Sequence, residues 1–312
     1  MAENILITGA GGFIGSHLVN HLKDKNRVVC LVRDILPSLW LDEALDGVTL
    51  VHGDLRDLKL LTRVIGHYDV TQVYHLAASA QVKQAHKNPV EVFESNVMGT
   101  VNILEACRIL GSSDKKIVIL NTDKVYGEKL NATEISRYES SEPYATSKCC
   151  QGFAAQTFQK TYDMNVKMVH SVNVFGYDPF NSRLIPNVVK DCIMGKKPVI
   201  FTNDNSIREY VYIDDAINAL VTVMNSTALK NNIFHIHTGW AYNQKDVILA
   251  IAKIFGVECE YREGNMPFQI QEETLSSINW DWGPVWDFED ALRGTIGLFN
   301  EYREDWDKGF LI

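Results

Sequence analysis

Three side chains in the middle of the chain could together move a proton between an alcohol and a ketone. Tyr144 and Lys148 are four residues apart, so a helix would place them on one face. Thr122 follows an apolar run at 117–120. A free tyrosine, with a pKa of about 10, is a poor base at neutral pH, but a nearby ammonium favours its phenolate and a hydroxyl can orient a substrate alcohol. The YxxxK spacing alone is common by chance, and a surface pair is the alternative.

A glycine-rich turn near the N-terminus predicts a site for a dinucleotide. Gly9, Gly12 and Gly15 have the spacing GxxGxxG, and they lie between an apolar run at 5–7 and an amphipathic stretch at 13–22. Glycine lets the backbone approach a pyrophosphate, and the N–H groups and dipole of the following helix attract negative charge. A strand before the turn and a helix after it are the context that the motif requires, so a turn without a ligand is the weaker interpretation.

Short apolar runs alternate with helical patterns, which indicates a parallel sheet covered on both faces. The predicted strands are 5–7, 28–32, 50–51, 73–76, 117–120, 166–169, 198–202 and 233–236. The predicted helices are 13–22, 93–110, 143–162, 183–194, 214–224, 245–255 and 287–302. We therefore expect an α/β fold, in which a Rossmann-type doubly wound parallel sheet is joined by a smaller, mixed α/β C-terminal substrate domain. Residues 1–172 and about 209–240 would form the first domain, and about 173–208 and 241–312 the second.

Composition excludes several classes of partner. The chain has 312 residues, 46% of them apolar, and a net charge of −9, which argues against binding to nucleic acid or to a membrane surface because both are anionic. The six cysteines have no CxxC spacing, so a disulfide framework or a metal site is not expected. We find neither a signal-peptide pattern nor an apolar run of about 18 residues, and we expect a cytoplasmic protein.

The residue after the second predicted strand should distinguish NAD from NADP, because an acid there binds the ribose hydroxyl and an arginine favours a 2′-phosphate. Arg33 and Asp34 are adjacent, and Arg33 favours NADP whereas Asp34 favours NAD. Asp54 after the third strand could approach the adenine, although a loop cap is nearly as good an interpretation. Leu76, Ala77 and Ala78 after the fourth strand could line the cofactor.

The chain resembles the extended short-chain dehydrogenase/reductases, specifically the NAD-dependent nucleotide-sugar epimerase/dehydratase family. The motifs that carry the resemblance over nearly the whole length are TGAGGFIGSHL, GDLRD, YHLAA, NVMGTVNILEA from Asn96, VYG at 125–127, YATSK at 144–148 and REYVYIDD at 208–215. It implies Thr122, Tyr144 and Lys148 as catalytic residues, and a homodimer joined through helices near 93–110 and 143–162. It implies NAD as the cofactor, with NADP still open. With the residues above, the predicted cofactor contacts are Gly9, Gly12, Phe13, Ile14, Gly15, Arg33, Asp54, Leu55, Leu76, Ala77, Ala78, Asn96, Tyr144 and Lys148.

Two charged residues after Thr122 point to one branch of this family. Epimerases of the family usually have small, inert residues there, whereas 4,6-dehydratases carry acid and base groups. Asp123 followed by Lys124 resembles the CDP-glucose 4,6-dehydratases, and so do the stretches PSLW at 37–40 and RLIP from Arg183. Asn121 departs from the pattern, because a small hydroxyl residue is usual at that position. The VYG motif and the GAGGFIG turn also resemble the wider family more than this branch.

The resemblance implies that C4 of a nucleotide-linked glucose is oxidised, water is lost across C5–C6, and the hydride returns to C6. Asp123 is the candidate acid at C6 and Lys124 the candidate at C5. A free Asp titrates near 3.9 and a free Lys near 10.4, so both pKa values would need a shift by burial, which their mutual attraction opposes. Lys124 could instead stay charged and stabilise the enolate-like intermediate. A solvent-exposed loop pair without a role is the third interpretation.

The same resemblance implies that Asn173, Arg183 and Arg208 hold the diphosphate of a nucleotide sugar. Arginine suits this role because its planar fork can bind two phosphate oxygens. A surface salt bridge is the alternative, and it fits Arg183 better than Arg208. Two other functions remain open, a nucleotide-sugar 4-epimerase and a non-catalytic protein that senses the dinucleotide.

Overall fold

The computed structural model describes most of the chain. The described residues are 2–33, 47–111, 114–140, 142–178, 183–204, 206–227, 232–264, 272–278, 280, 282–303 and 306. Two parts of the sequence analysis lie outside them, namely Asp34 and the stretch at 36–40.

A seven-stranded parallel sheet forms the larger part of the fold. Its strands are β1 (Asn4–Thr8), β2 (Arg27–Val32), β3 (Val48–His52), β4 (Gln72–His75), β5 (Lys116–Thr122), β6 (Asn165–Ser171) and β10 (Ile233–Ile236). Their order is β3-β2-β1-β4-β5-β6-β10, and every neighbouring pair is parallel. This is the Rossmann order with one further strand, so the predicted fold class is confirmed. The order of the strands reverses between β1 and β4, and sheets of this kind bind their ligands at that point.

Both faces of this sheet are buried, which explains why its strands are almost continuously apolar. Successive side chains of a strand point to opposite faces. Ile5 and Ile7 accordingly belong to one core cluster, whereas Leu6 belongs to the other. The helices that cover the sheet include α1 (Phe13–Leu22), α2 (Leu58–His67), α6 (Pro143–Tyr162) and α8 (Ile213–Asn225). Two of them, α1 and α6, have the bounds that the sequence predicts.

The predicted helix at 93–110 is interrupted. The structure has two short helices, α3 (Val82–Lys87) and α4 (Pro89–Phe93), then a wide helical turn over Glu94–Met98 and then α5 (Gly99–Ile109). Asn88 separates the first two, because its side chain caps α4 by accepting a hydrogen bond from Glu91. The apolar period continues through the wide turn, so the pattern shows a helix but not its local widening.

The remaining strands form a smaller, mixed layer. Strand β9 (Ile207–Tyr212) pairs in parallel with β7 (Asn173–Phe175) and β13 (Glu272–Glu273), and antiparallel with β11 (Ala241–Asn243). A separate parallel pair consists of β8 (Val199–Phe201) and β12 (Glu260–Arg262). The other helices are α7 (Leu184–Ile193), α9 (Gln244–Phe255) and α10 (Phe288–Glu301). The predicted domain division stays a prediction. Because β9 lies in this smaller layer, the part of the chain that belongs with the main sheet resumes at the start of α8 and not near residue 209.

A buried chain of ring side chains joins the main sheet to the C-terminal segment. Tyr126 Oη lies 2.9 Å from His170 Nδ1 and 2.7 Å from His235 Nε2, and Tyr138 Oη lies 3.2 Å from His170 Nε2. The carbonyl of Ser276 can only accept, so the hydrogen of His235 lies on Nδ1, 2.8 Å from that oxygen. It follows that His235 Nε2 accepts from the hydroxyl of Tyr126, which accepts from His170 Nδ1, and that His170 Nε2 accepts from the hydroxyl of Tyr138. Every polar atom of these rings is therefore paired while both imidazoles are neutral.

These imidazoles and that of His75 resist protonation. His75 is buried between the hydroxyls of Thr8 and Thr100, and burial lowers its pKa to about 3. Burial also holds the pKa of His170 well below its usual range, with a smaller contribution from the charge of Lys148.

Acid should therefore destabilise the protein. The unfolded chain binds a proton at His75 below about pH 6.5, whereas the folded chain does not until about pH 3, so stability is lost as the pH falls from 6.5. His75 alone should lower the free energy of unfolding by about 2 kcal/mol between pH 7.5 and pH 5. Urea denaturation at the two pH values measures this. A His75→Gln variant should show a smaller difference, and equal pH dependence in the two proteins would contradict the assignment.

Candidate active site

The glycine turn sits where β1, β4 and α1 converge. Gly9 has a φ of +73°, and a Cβ there would lie 2.7 Å from the backbone nitrogen of Ala77, at the end of β4. A Cβ on Gly15 would collide with the carbonyl oxygen of Gly9. Gly12 precedes α1 and caps it without a side-chain hydrogen bond, and the first turn of the helix contains no acid. The turn therefore has the close backbone approach and the uncompensated helix dipole that a pyrophosphate site needs.

The residues expected around the adenosine are brought to the same edge of the sheet. Arg33 is exposed, and its guanidinium lies 3.8 Å from the carboxylate of Glu91. Asp54 accepts hydrogen bonds from the backbone and the guanidinium of Arg56, and the side-chain hydrogen bond holds the pKa of Asp54 below its usual value. The structure thus gives Asp54 the capping role, and its contact with adenine stays a prediction.

The other predicted cofactor residues near this edge are partly covered by protein. Phe13, Ile14, Leu76, Ala77 and Ala78 are half-buried. The backbone N–H of Ala77 donates to the hydroxyl of Thr8 at 3.3 Å, which holds the end of β4 against that of β1. Leu55 is buried, and a Cβ on Gly99 would lie 2.9 Å from its side chain.

Asn96 has a positioning role in this structure, and its predicted contact with the cofactor stays a prediction. Its side chain is fully buried. Its oxygen accepts from the backbone of Ser79 at 2.7 Å, and its nitrogen donates to the carbonyl of Ser79 and to the hydroxyl of Ser147. These bonds tie the loop after β4 to α6, and they leave no hydrogen of the amide for a ligand.

The three residues at the end of β5 form one compact group. Thr122 ends the strand, and a single tight turn over Asp123–Tyr126 follows. The hydroxyl of Thr122 donates to Asp123 Oδ1 at 2.8 Å and accepts from the backbone N–H of Lys124 at 3.4 Å. Asp123 is 4% exposed, and its Oδ2 has no hydrogen-bond partner among the described residues. Asp123 is therefore not part of a solvent-exposed loop pair, whereas Lys124 is half-buried.

Tyr144 and Lys148 face this group from the first two turns of α6. Pro143 opens the helix, and the carboxylate of Glu142 caps it by accepting from the backbone N–H groups of Tyr144 and Ala145. Both catalytic candidates are buried, and the ammonium of Lys148 donates to the carbonyl of Leu120 at 2.8 Å.

The prediction that the pKa of Tyr144 is lowered is wrong when only the groups of the protein itself act on it. We expected the Lys148 ammonium to favour the phenolate. Burial instead raises the pKa of Tyr144 to about 12, although the charge of Arg183 and a hydrogen bond with Thr122 oppose it. Burial also lowers the pKa of Lys148 to about 7. The reason is that desolvation disfavours both charged forms, and it is the largest effect at each residue.

The predicted substrate residues come from three different elements. Arg183 caps α7, lies 3.8 Å from Asp178 and is close enough to Tyr144 to lower its pKa. Arg208 lies on β9 and is 6% exposed, so the surface salt bridge considered for it is wrong. The amide of Asn173 donates to the backbone carbonyl of Glu209 at 3.0 Å.

Glu209 is a residue that the sequence analysis missed. Its carboxylate is fully buried and accepts from the backbone N–H groups of Thr238, Gly239 and Leu275 at 2.6 to 2.9 Å. It therefore joins β9, which carries Arg208, to two loops. An acid inside a strand whose other residues, apart from Arg208, are aliphatic or tyrosine was the available signal.

Comparison with known families agrees with this geometry. The family model described as "NAD dependent epimerase/dehydratase family" matches residues 5–236. The chain belongs to this family. The matched range runs from β1 to β10 and includes the glycine turn, the turn after β5 and α6.

Two relatives carry names that include a 4,6-dehydratase activity. One is the trifunctional UDP-glucose 4,6-dehydratase/UDP-4-keto-6-deoxy-D-glucose 3,5-epimerase/UDP-4-keto-L-rhamnose-reductase of Arabidopsis thaliana, 28% identical over 97% of this chain. The chain spans about half of that relative, 48% of its length. The other is dTDP-glucose 4,6-dehydratase 1 of Escherichia coli, 28% identical, with 94% of this chain and 91% of the relative covered.

Solved structures of similar proteins include a dehydratase and an epimerase. The dTDP-glucose 4,6-dehydratase of Streptomyces venezuelae, solved with NAD, has a TM-score of 0.85 at 25% identity and covers 97% of this chain and 99% of its own. The UDP-glucose 4-epimerase of Thermus thermophilus, also with NAD, has a TM-score of 0.81 at 28% identity and covers 95% and 98%. The fold is shared by both activities, so the site must distinguish them.

The described residues include neither a candidate membrane span nor a candidate metal site. In those parts of the chain no helix is both long and apolar enough to cross a membrane. The same residues include no group of three or more His, Cys, Asp or Glu side chains placed to hold a metal ion.

Replacing Gly15 with alanine should weaken NAD binding about tenfold or more, a loss of about 1.4 kcal/mol, because the new methyl group would displace the carbonyl of Gly9. Isothermal titration calorimetry with NAD measures the change. Gly297→Ala is the matched control, since Gly297 is exposed in α10 and a Cβ there meets nothing within 4 Å. The control should keep its affinity and gain up to about 1 kcal/mol of stability. Wild-type affinity in Gly15→Ala would contradict a pyrophosphate site at this turn.

Proposed function

We propose that the protein is an NAD-dependent nucleotide-sugar 4,6-dehydratase. The observation that carries the proposal is Asp123, whose carboxylate is buried beside the Thr122 hydroxyl and keeps one oxygen without a partner among the described residues. Loss of a hydroxyl group needs an acid within hydrogen-bonding reach, whereas epimerisation at C4 does not. The name of the Escherichia coli relative supports the same activity.

Oxidation at C4 is the first step. The glycine turn would hold NAD, which would supply the hydride acceptor for C4 and, through its positively charged ring, would favour the phenolate of Tyr144. Tyr144 removes the hydroxyl proton, and Thr122, which is close enough to Tyr144 to lower its pKa, orients the same hydroxyl group. Lys148 supplies further positive charge below its pKa of about 7, and its bond to the carbonyl of Leu120 holds it in place.

Elimination follows from the ketone, which acidifies the C5 proton. In this step Asp123 donates a proton to the departing C6 hydroxyl, and the C5 proton leaves towards Lys124. Two roles for Lys124 are consistent with its half-buried position, a neutral base and an ammonium that stabilises the enolate. A hydride at C6 and a proton returned to C5 would complete the product, so the sugar is not oxidised overall and only one water is lost.

The substrate class is a nucleotide-diphosphate sugar, which Arg183 and Arg208 suit by charge. For the nucleotide, the resemblance of the adjacent Asp123 and Lys124 to the CDP-glucose 4,6-dehydratases favours CDP-glucose. The names of the relatives instead include dTDP-glucose and UDP-glucose. A 4-epimerase is the second candidate, supported by the likeness to the Thermus thermophilus enzyme.

A homodimer through α5 and α6 also stays a prediction. Ile109 of α5 and Phe153 of α6 support it, because both are large apolar side chains that are more than half exposed. Such side chains on neighbouring helices commonly mark a contact between subunits.

Mass spectrometry with NAD and, separately, CDP-glucose, dTDP-glucose, UDP-glucose and GDP-mannose tests the function. A product lighter by one water is expected with one of the glucose nucleotides, and that nucleotide is then the substrate. A product of unchanged mass with an altered sugar configuration would establish the epimerase and make Asp123 and Lys124 bystanders.

Changing the residues of the turn should separate oxidation from elimination. We expect Asp123→Asn and Lys124→Met to slow water loss by about 100-fold or more, because each removes a proton-transfer or charge-stabilising group. Formation of reduced cofactor in a single turnover, followed by its absorbance, should stay partly intact. Lys253→Met, which changes an exposed lysine of α9, is the control. Dehydration by Lys124→Met at the wild-type rate would show that Lys124 has no role.

A further inference from the structure

Asn121 forms a link between the two halves of the catalytic group. It is 4% exposed and precedes Thr122 at the end of β5. Its Nδ2 donates to the backbone carbonyl of Lys148 at 3.1 Å, and its Oδ1 accepts from the backbone N–H of Thr122 at 2.9 Å. In the opposite direction, from helix to strand, the ammonium of Lys148 donates to the carbonyl of Leu120. The strand and the helix are thus joined by hydrogen bonds in both directions.

We propose that Asn121 is a positioning residue that sets the placement of Thr122 relative to α6, the helix of Tyr144 and Lys148. Both hydrogen bonds of the Asn121 side chain go to backbone groups, so it acts through the backbone on each side of the site. The inference rests on the proposed function for its catalytic consequence, but the positioning itself is a property of the site.

The amide is suited to this link by its length and its two distinct polar atoms. An asparagine has a donor and an acceptor at the end of the side chain, one bond beyond the position of a serine hydroxyl. A serine would have to use a single oxygen for both the carbonyl of Lys148 and the N–H of Thr122. A small hydroxyl residue at this position therefore cannot make the same pair of bonds at the present spacing of β5 and α6.

Positioning of this kind matters because the proton-transfer residues come from different elements. Thr122 ends a strand, and Tyr144 lies in a helix 22 positions later in the chain. A displacement of about 1 Å in a catalytic group can cost about 100-fold in rate. Loss of the link should therefore lower kcat and weaken cofactor binding more than it changes the KM for the nucleotide sugar.

The structure offers a matched control for a purely structural effect. Asn26 makes the same pair of bonds away from the site, since its Nδ2 donates to the carbonyl of Leu22 at 3.0 Å and its Oδ1 accepts from the backbone N–H of Glu3 at 3.2 Å. These bonds lie where β1 and β2 begin, at the edge of the sheet opposite to the glycine turn. A loss of hydrogen bonds that affects only stability would affect both positions alike.

The experiment compares Asn121→Ala with Asn26→Ala in the full chain. The NAD dissociation constant by calorimetry, kcat and KM with the active nucleotide sugar, and the thermal midpoint are measured for each. We expect Asn121→Ala to lower kcat by about 10- to 100-fold and to weaken NAD binding, while Asn26→Ala changes neither. A kcat and an NAD dissociation constant for Asn121→Ala that match those of Asn26→Ala would overturn the proposal.

Two further variants keep the test decisive if Asn121→Ala fails to fold. Asn121→Ser should still lose the bond to Lys148 and show a reduced kcat. Asn121→Asp keeps the acceptor for Thr122 but places an acceptor against the carbonyl of Lys148, so its loss should be larger. Wild-type values in both would overturn the proposal. If the wild-type protein converts none of the nucleotide sugars, the proposed function fails, and the NAD dissociation constants of the variants still decide the role of Asn121.

Discussion

The burial of Lys148 is the constraint on which the rest of the site depends. Its ammonium lies in the protein interior and donates to the carbonyl of Leu120, so α6 can approach β5 only where that bond forms. The asparagine beside Thr122 completes the contact in the other direction. Tyr144, one turn earlier on the same helix, is thereby brought within hydrogen-bonding reach of Thr122. The grouping of the residues proposed to be catalytic therefore depends on strand–helix packing and not on the local motif alone.

This arrangement works against stability. Burial lowers the pKa of Lys148 to about 7 from its ordinary value near 10.5, so the unfolded chain binds a proton between those values that the folded chain does not. The contribution of Lys148 to stability is consequently unfavourable at neutral pH and below, and the penalty disappears as the pH rises towards 10.5. The buried Asp123 oxygen without a partner adds to the same cost. Unfavourable terms of this kind are typical of sites organised for chemistry rather than for stability.

The smaller layer is organised by charge in a similar way. Glu209 is a buried carboxylate satisfied by three backbone N–H groups, and it lies next to the buried Arg208. It fixes β9 against the loops that precede β11 and follow β13, while Asn173 is bonded to its backbone carbonyl. Two of the three residues proposed to hold the diphosphate are therefore placed by one acid. The main sheet carries the edge that is predicted to bind the cofactor, and this layer carries the arginines that are proposed to bind the diphosphate.

The sequence by itself determined the seven strands of the main sheet, most of the long helices and their order, because hydrophobic period and turn residues are local properties. It did not predict α2 or the strands β7, β9, β11, β12 and β13. The bounds of α1 and α6, the parallel sheet and the residue types of the glycine turn all follow from it. Only the tertiary structure decided what depends on distant neighbours. Desolvation reversed the expected acidity of Tyr144, the wide turn enclosed Asn96, and Asn121 acquired partners on α6. Burial and hydrogen bonding are set by residues far apart in the chain, and no local pattern records them.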